Sequence, residues 1–349
     1  LGPELPPEKF TADVSTGMTS PKGDYQLAWF IPGKLPTGFQ RDVSQDELAT
    51  VHHQFRPTKP DSQGRWSAAP VPAEGPAPDH LSFASIEQPL PGTRDVFYNT
   101  EGVQWTGMFT ETGPDGKQIR ELMSPPRSYE PGKEYHERFN FAPFTPAMPA
   151  GGTWGARLDN QVEVRLPLLS DGSGNAGVPV AEGNGRTTLH RGDELIGEFP
   201  QAGMGQFVLP AEPGRYPLSR GLNRQSELSS HISGTWTFES APTDTVEPLP
   251  LSAVRFTPEV DDSGSAVRGK QEVPVFLQGH EGKPVPAQEL SVEVSYDEGT
   301  DWNPARVVDG KIVLNHPDGA QSVSLRANAT DEQGNTVEQT VIKAYTLKD

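Results

Sequence analysis

Short runs in which apolar and polar residues alternate recur along this whole chain, and this period-two pattern most constrains its fold. No helical stripe longer than two turns interrupts the pattern, so the sequence predicts strands rather than helices. Between the runs, 36 glycines and 36 prolines among 349 residues supply turn signals. The 15 Phe, 7 Tyr and 6 Trp are spread along the chain and can fill the cores of sheets. We therefore predict an all-β protein built of tandem β-sandwich domains.

The length exceeds what one hydrophobic core usually serves, and two Pro-rich junctions divide the chain. These junctions lie at Phe144–Gly152 and Ala241–Pro250. We predict an N-terminal β-sandwich-like domain over 1–142, a middle β-sandwich over 143–245 and a C-terminal immunoglobulin- or fibronectin-like domain over 246–349. The prediction is clearest for the last, where strand runs follow one another every 8–12 residues or so, at roughly the spacing of such a sandwich.

Three local segments support more specific predictions. Pro57–Pro78 holds six prolines and is predicted to be a long surface loop in which Trp66 is exposed. Asp309-Gly310 lies between two apolar runs and predicts a two-residue hairpin. Ser44–Leu48 begins with a capping-type serine and predicts a single helical turn.

The charge balance and the missing cysteines exclude several classes of partner and chemistry. The chain has 29 basic and 47 acidic residues, a net charge of −18, which disfavours nucleic acid and anionic lipid surfaces as partners. No apolar run approaches the length that spans a bilayer, so membrane insertion is not expected. The absence of cysteine excludes disulfides, thiolate catalysis and cysteine-ligated zinc.

Catalytic and metal-binding motifs were sought among the serines, acids and histidines. Three fragments resemble pieces of a subtilisin-type triad: Asp262-Ser263-Gly264, His280-Glu281-Gly282 and Met18-Thr19-Ser20. Their order is wrong for that family and no long helix follows any of them, so we predict no catalytic residue in this chain. Of eight histidines only His52 and His53 are adjacent, and neighbours on a strand point to opposite faces.

The segment Ser170–Gly177 is the one candidate for a cation site. Asp171, Ser173 and Asn175 place oxygen-bearing side chains two residues apart with glycines between them, a spacing that suits a hard cation such as calcium. The segment lacks the downstream bidentate Glu of a helix–loop–helix calcium site. A tight Gly/Asn turn explains the same residues, so calcium is an expectation with an open alternative, and no other cofactor is predicted.

A second turn motif occurs near the C-terminus. Ser295, Asp297, Gly299 and Trp302 match the Asp-box pattern Ser-x-Asp-x-Gly-x-x-Trp. In that motif the Asp and Ser brace a hairpin turn and the Trp packs beneath it. We therefore predict a structural role for these four residues.

Several segments resemble the non-catalytic C-terminal region of large secreted subtilisin-like serine peptidases of actinobacteria. They begin with Arg127–Asn140 and the Phe-Ala-Pro-Phe-Thr-Pro run that follows it. They continue, in the expected order, through Leu168–Gly177, Gly234–Phe238 and Leu290–Asp297 to Ala329–Ile342. The segments are spread over roughly the last two-thirds of the chain.

This resemblance implies a secreted, extracellular protein whose parent polypeptide is a serine endopeptidase. The expected function is that of an accessory β-sandwich region that stabilises the enzyme or places it on a substrate or surface. Its expected partners are its own protease domain, substrate proteins or another secreted protease. The alternative is a free-standing secreted protein that binds a glycan, or that inhibits or modulates a protease. No catalytic residue is carried over, because the matching segments contain none.

Overall fold

The computed structural model describes residues 11–33, 37–75, 85–178, 184–224 and 226–349. Within these ranges the chain is nearly all β, and the predicted all-β class is confirmed. The described residues contain one turn of 3-10 helix, Gln45–Glu47, where the sequence predicts a helical turn. None of their helices has the length and apolar character needed to cross a bilayer.

Strands follow one another along the whole described chain. In chain order they are β1 (Thr11–Ser20), β2 (Gly23–Pro32), β3 (Leu48–Phe55), β4 (Gln63–Pro72), β5 (Ile86–Gln88), β6 (Gly92–Asn99), β7 (Val103–Thr112), β8 (Gln118–Met123), β9 (Glu134–Phe139), β10 (Gly155–Leu158), β11 (Gln161–Val164), β12 (Ala176–Val178), β13 (Asn184–Arg191), β14 (Glu194–Phe199), β15 (Gly205–Val208), β16 (Gly214–Asn223), β17 (His231–Ser240), β18 (Glu247–Pro248), β19 (Ala253–Phe256), β20 (Ser265–Val267), β21 (Gly269–Gln278), β22 (Pro284–Val285), β23 (Ala287–Ser295), β24 (Asn303–Ala305), β25 (Val307–Val308), β26 (Lys311–His316), β27 (Ser322–Asp331) and β28 (Thr336–Lys348).

The chain divides into two compact units. Unit 1 comprises Leu1–Gln118 and Met123–Phe139, and unit 2 comprises Ile119–Leu122 and Asn140–Asp349. The division after Phe139 lies close to the predicted end of the first domain at 142. The predicted boundary at 245 lies inside unit 2.

Unit 1 contains two groups of paired strands around an aromatic core. One sheet has the order β1–β2–β6–β3–β9, and β4 pairs with β5 and β7. Four fully buried rings from both groups meet around Phe55. The centroid of its ring lies 5.5–6.2 Å from those of Trp66, Phe109 and Phe139. These contacts explain how a chain with only 33% hydrophobic residues fills a core, because large rings bury much apolar area each.

The prediction of a surface loop over Pro57–Pro78 is wrong for its central part, which forms β4. Trp66 was expected to be exposed and is instead fully buried against His53, at a centroid distance of 4.9 Å. The strand tolerates Pro70 because this residue lies opposite Trp105 of β7 at a pair that exchanges no backbone hydrogen bonds. The backbone N–H of Trp105 points away from Pro70 and donates to the carbonyl of Arg127. Pro70 therefore removes no bond of this ladder.

A buried histidine lies beside the aromatic core of unit 1. His53 Nε2 is 3.2 Å from the hydroxyl of Tyr98, and its Nδ1 is 3.7 Å from the Glu137 carboxylate. Glu137 also accepts a hydrogen bond of 2.6 Å from the Tyr129 hydroxyl, and its Oε1 forms an ion pair with Arg127, whose Nε lies 3.2 Å away. Burial, assisted by the nearby Arg127 charge, lowers the pKa of His53 to about 3. His53 is therefore neutral in the folded protein at any moderate pH.

The last part of unit 2 has the topology of an immunoglobulin-like sandwich. One sheet has the order β19–β21–β26–β25, and the other contains β28–β27–β23–β24, with β20 adding in parallel beside β28. This is the two-sheet pattern expected for such a domain. The predicted Asp309-Gly310 hairpin is confirmed, since Val308 pairs with Lys311 across it.

The middle of unit 2 joins the immunoglobulin-like part through one continuous sheet. Strands β14–β13–β16–β17 continue into β28, because His231–Thr237 of β17 pairs with residues 336–342. The sheet β15–β11–β10–β18 contributes Val162, Val164 and Phe207 to the same hydrophobic cluster that contains Trp236 and Val337. The middle and last predicted domains therefore share a core.

We predict that His53 makes unit 1 sensitive to acid. The unfolded chain binds a proton on this imidazole near its ordinary pKa of 6.5, whereas the folded chain does so only near 3. The contribution of neutral His53 to the free energy of unfolding is present in full above pH 6.5. It is lost as the pH falls toward 3, by up to about 1.4 kcal/mol per pH unit.

Urea midpoints of the wild type and His53→Gln, measured across this range by tryptophan fluorescence, test the prediction. The variant should lose stability less steeply with falling pH. If the urea midpoints of the two proteins fell equally steeply with pH, His53 would not be the source of the acid sensitivity.

Candidate functional site

The loop predicted as a cation site is a hydrogen-bonded turn around the carboxylate of Asp171. Asp171 is fully buried. Its Oδ1 accepts from the backbone N–H groups of Ser173 and Asn175, at 3.0 and 2.9 Å. Its Oδ2 accepts from the backbone of Asn140 and from the Asn175 side-chain amide, at 2.9 and 2.8 Å. The structure therefore brings the two residues together, with the Asp171 carboxylate as acceptor and Asn175 as donor.

This geometry does not fit calcium. Calcium requires six to eight or so oxygen ligands, whereas four N–H groups point at the two carboxylate oxygens of Asp171. The amide of Asn175 presents its nitrogen to the carboxylate, and Ser173 contributes its backbone N–H. Of the two alternatives that the sequence leaves open, the geometry favours the turn. Burial raises the pKa of the Asp171 carboxyl, and the hydrogen bonds from Asn175 and Asn140 oppose that shift.

The same turn occurs at two other places in unit 2. Asp261 and Asp331 each accept backbone N–H bonds from the residues two and four positions later, at 2.8–2.9 Å. In each turn the residue three positions after the Asp is a glycine with φ of 78–88°, a region that favours glycine. The three turns share the sequence pattern Asp-x-x-Gly-(Asn/Ser), a repeat that was not predicted from the sequence.

A buried arginine connects the Asp171 turn to the immunoglobulin-like part of unit 2. Arg255, on β19, donates from Nη2 to the Asp171 carbonyl at 2.7 Å. Its Nη1 donates to the Thr145 hydroxyl at 2.5 Å and to the Pro146 carbonyl at 3.1 Å. Burial lowers the pKa of Arg255 to about 10, so it remains charged near neutral pH.

The Asp-box prediction is confirmed as a structural turn. Ser295 Oγ donates to Asp297 at 2.7 Å and accepts from the Gly299 backbone at 2.8 Å. Trp302 donates from Nε1 to the Gly299 carbonyl at 3.0 Å, which holds the ring against the turn. The guanidinium of Arg326 lies over this ring at 4.6 Å.

A polar groove of about 280 Å³ crosses the open face of the continuous sheet, over β13, β16, β17, β28 and β27. Two cross-strand rows line it, and the pairing register defines both. One row is Arg186, Gly221, Ser233, Thr340 and Arg326. The other row is Thr188, Ser219, Thr235, Glu338 and Asn328. On β16 and β17 the groove-facing side chains are small, whereas Glu338 on β28 is long and charged, and an arginine lies at each end of the first row.

Both terminal arginines of the groove are held in place by carboxylates. Arg186 lies 3.3 Å from Glu198, and Arg326 lies 2.7 Å from Glu293. Four strand spacings of about 4.8 Å separate them, so the groove is about 19 Å long. This groove was not predicted from the sequence. The available signal is the run of Ser, Thr and Gly at alternate positions in Pro217–Gly221 and His231–Thr235.

The fragments that resemble a peptidase triad lie in turns. Ser20 ends β1 and donates its hydroxyl to Gly23 in the following hairpin. Ser263 donates its hydroxyl to Asp261 within the turn described above. His280 lies in the hairpin closed by Gly279 and Lys283. Within the described ranges no cluster of three or more His, Asp or Glu side chains is arranged to hold a metal ion.

The two adjacent histidines point to opposite faces of β3, as predicted. His53 is buried, whereas His52 is half-exposed and its Nδ1 lies 2.8 Å from Asp95. The His52 ring stacks on His136 at 4.9 Å. Each of the two rings therefore has a hydrogen-bond partner of its own, Asp95 for His52 and Tyr98 for His53.

Comparison with known proteins identifies no family. No family model matches the sequence, and no curated protein matches it. Among solved structures, the FN1–FN3 domains of chicken CNTN1 share 10% identity at a TM-score of 0.18, over 80% of this chain and 89% of that one. Extracellular domains 3–5 of Drosophila OTK share 10% identity at a TM-score of 0.18, over 88% of this chain and 99% of that one. Trypsin-activated alpha-2-macroglobulin from Escherichia coli shares 10% identity at a TM-score of 0.20, over 89% of this chain and 25% of that one. Likenesses this low carry no argument about function.

We predict that calcium does not stabilise this protein. A ligand that binds only the folded state raises the melting temperature. Because the Asp171 oxygens already accept N–H bonds, millimolar CaCl₂ should leave the melting temperature unchanged relative to MgCl₂ and EDTA, as followed by circular dichroism. A rise that is specific to calcium and absent from Asp171→Asn would contradict this geometry.

We also predict that Asp171→Asn destabilises unit 2 more than Asp331→Asn does. An asparagine at 171 directs its NH₂ group at buried N–H donors, which should cost about 3 kcal/mol of unfolding free energy. Asp331 makes the same local bonds but is half-exposed, so its replacement should cost about 1 kcal/mol. Chemical denaturation of both variants measures the difference. Equal losses would show that burial of Asp171 is not the cause.

Proposed function

We propose that this chain is a non-catalytic β-sandwich region that acts by surface contact, as the accessory part of an exported subtilisin-like serine peptidase. The observation that carries the binding role is the polar groove on the open face of the continuous sheet of unit 2. Its association with a peptidase and its extracellular location rest on the sequence resemblance alone.

Two properties of the groove support a polypeptide as its partner. Its length of about 19 Å matches five or six residues of extended chain at about 3.3 Å per residue. The small side chains on β16 and β17 allow a backbone to approach closely. Arg186 and Arg326 are already paired with Glu198 and Glu293, and their remaining N–H groups can donate to backbone carbonyls of a bound chain at the two ends. Such a polar surface is typical of a transient contact rather than of a permanent interface. The peptidase domain itself or its protein substrates are the proposed occupants.

Gly221 offers a direct test, because a side chain added there projects into the groove. A Cβ at this position lies 3.8 Å from the nearest atom of His231 and 3.9 Å from Ser233, which are ordinary contacts. Gly221→Arg should therefore fill the groove without disturbing the sheet, and Gly221→Ala is the matched control.

In the polypeptide that carries both the peptidase domain and this region, we expect Gly221→Arg to reduce kcat/KM for a protein substrate about tenfold, or ~1.4 kcal/mol. Cleavage of a short peptide substrate should be unchanged, and Gly221→Ala should resemble the wild type. A reading frame upstream of Leu1 that encodes no peptidase domain would contradict the accessory role. Equal rates on protein substrate for all three forms would contradict the role of the groove.

A further inference from the structure

Unit 1 contains a second cavity, of about 270 Å³, that the proposed accessory role does not use. Its wall includes Trp29 of β2 together with Val43 and Pro131, and its rim carries Arg41, Glu47 and Glu101. The volume is close to the lower end of the range, roughly 300 Å³, for pockets that take small ligands. A mostly apolar wall with a few converging polar groups is the usual composition of such pockets.

The indole ring of Trp29 is held in a fixed position at this cavity. It is half-buried and packs against the small hydrophobic cluster of Leu27, Leu48 and Phe97. The ring of Phe39 lies 5.1 Å from it, at an interplanar angle of 46°. The aromatic wall is therefore formed before any ligand arrives, and this reduces the entropy that binding would cost.

The charged side chains at the rim form one connected group. Arg41 Nη2 lies 3.1 Å from Glu101 and 3.6 Å from Glu47. Glu47 is fixed in turn by Ser44, whose hydroxyl donates to it at 2.9 Å and whose backbone N–H does so at 3.4 Å. These planar groups present both donors and acceptors beside the aromatic wall, with one more negative than positive charge.

We infer that this cavity binds a neutral carbohydrate ring, with the C–H face of the sugar on Trp29 and its hydroxyl groups at Arg41, Glu47 and Glu101. Adjacent hydroxyls both donate and accept, so they can bond to carboxylates and a guanidinium at once. A purely apolar ligand would strip water from three charged side chains without replacing their bonds. An anion would meet two carboxylates for one guanidinium. This inference holds whether or not the chain accompanies a peptidase.

The test uses the whole chain and a panel of neutral sugars: glucose, galactose, N-acetylglucosamine, maltose and cellobiose. Binding at millimolar concentrations is followed by intrinsic tryptophan fluorescence and by saturation-transfer NMR. Trp29→Ala should weaken the binding of the preferred sugar at least about tenfold, because the stacking contact is lost.

A second variant keeps the test valid if Trp29→Ala unfolds unit 1. The Glu101 side chain is 78% exposed, so Glu101→Gln should leave the fold intact and still weaken binding several-fold. Glu212→Gln, with the same exposure in unit 2, is the matched control and should bind like the wild type. The inference is overturned if no sugar binds, or if neither Trp29→Ala nor Glu101→Gln weakens binding. Arginine amide serves as a cationic probe of the negatively charged rim, and its binding in preference to every sugar would also overturn the inference.

Discussion

Buried and half-buried side-chain donors satisfy the carbonyl groups of the irregular, proline-rich segments of unit 2, and the rest of that unit depends on these bonds. Prolines donate no N–H, and segments outside the ladders leave carbonyl oxygens that must find partners if they are buried. The donor–acceptor pairs, at 2.7–3.1 Å, are Arg255 to Pro146, Arg157 to Pro210 and Trp154 to Pro149. Arg255 also holds the Asp171 turn, so one guanidinium connects two irregular segments to β19.

This construction leaves the solvent faces free for contact. The core of unit 2 fixes the continuous sheet from one side, and the groove between Arg186 and Arg326 lies on the other. In unit 1, the cavity beside Trp29 likewise lies next to buried residues, the small hydrophobic cluster of Leu27, Leu48 and Phe97. The turns that resemble catalytic or cation-binding motifs are instead closed by backbone N–H groups that donate to an aspartate, as at Asp171 and Asp261. Both proposals therefore assign binding, and neither assigns catalysis.

Local strand and turn features could be predicted from the sequence, whereas the groupings that create sites could not. Apolar and polar residues alternate in β17 and β23, and Asp309-Gly310 predicts its hairpin; such signals can be read from the sequence because they act over a few residues. Trp66 was misplaced because counting prolines gives no information about the edge of the strand to which their nitrogens point. The groove depends on the pairing of β17 with β28, about a hundred residues apart in sequence, and no local pattern predicts that pairing.

Backbone hydrogen exchange tests most directly the claim that Asp171 is an internal acceptor on which unit 2 depends. The amides of Asn140 and Asn175 donate to this buried carboxylate, whereas the amide of Gln333 donates to the half-exposed carboxylate of Asp331. The account predicts that Asn140 and Asn175 exchange as slowly as the core strands β17 and β28, and far more slowly than Gln333. Exchange at Asn140 and Asn175 as fast as at Gln333 would contradict it.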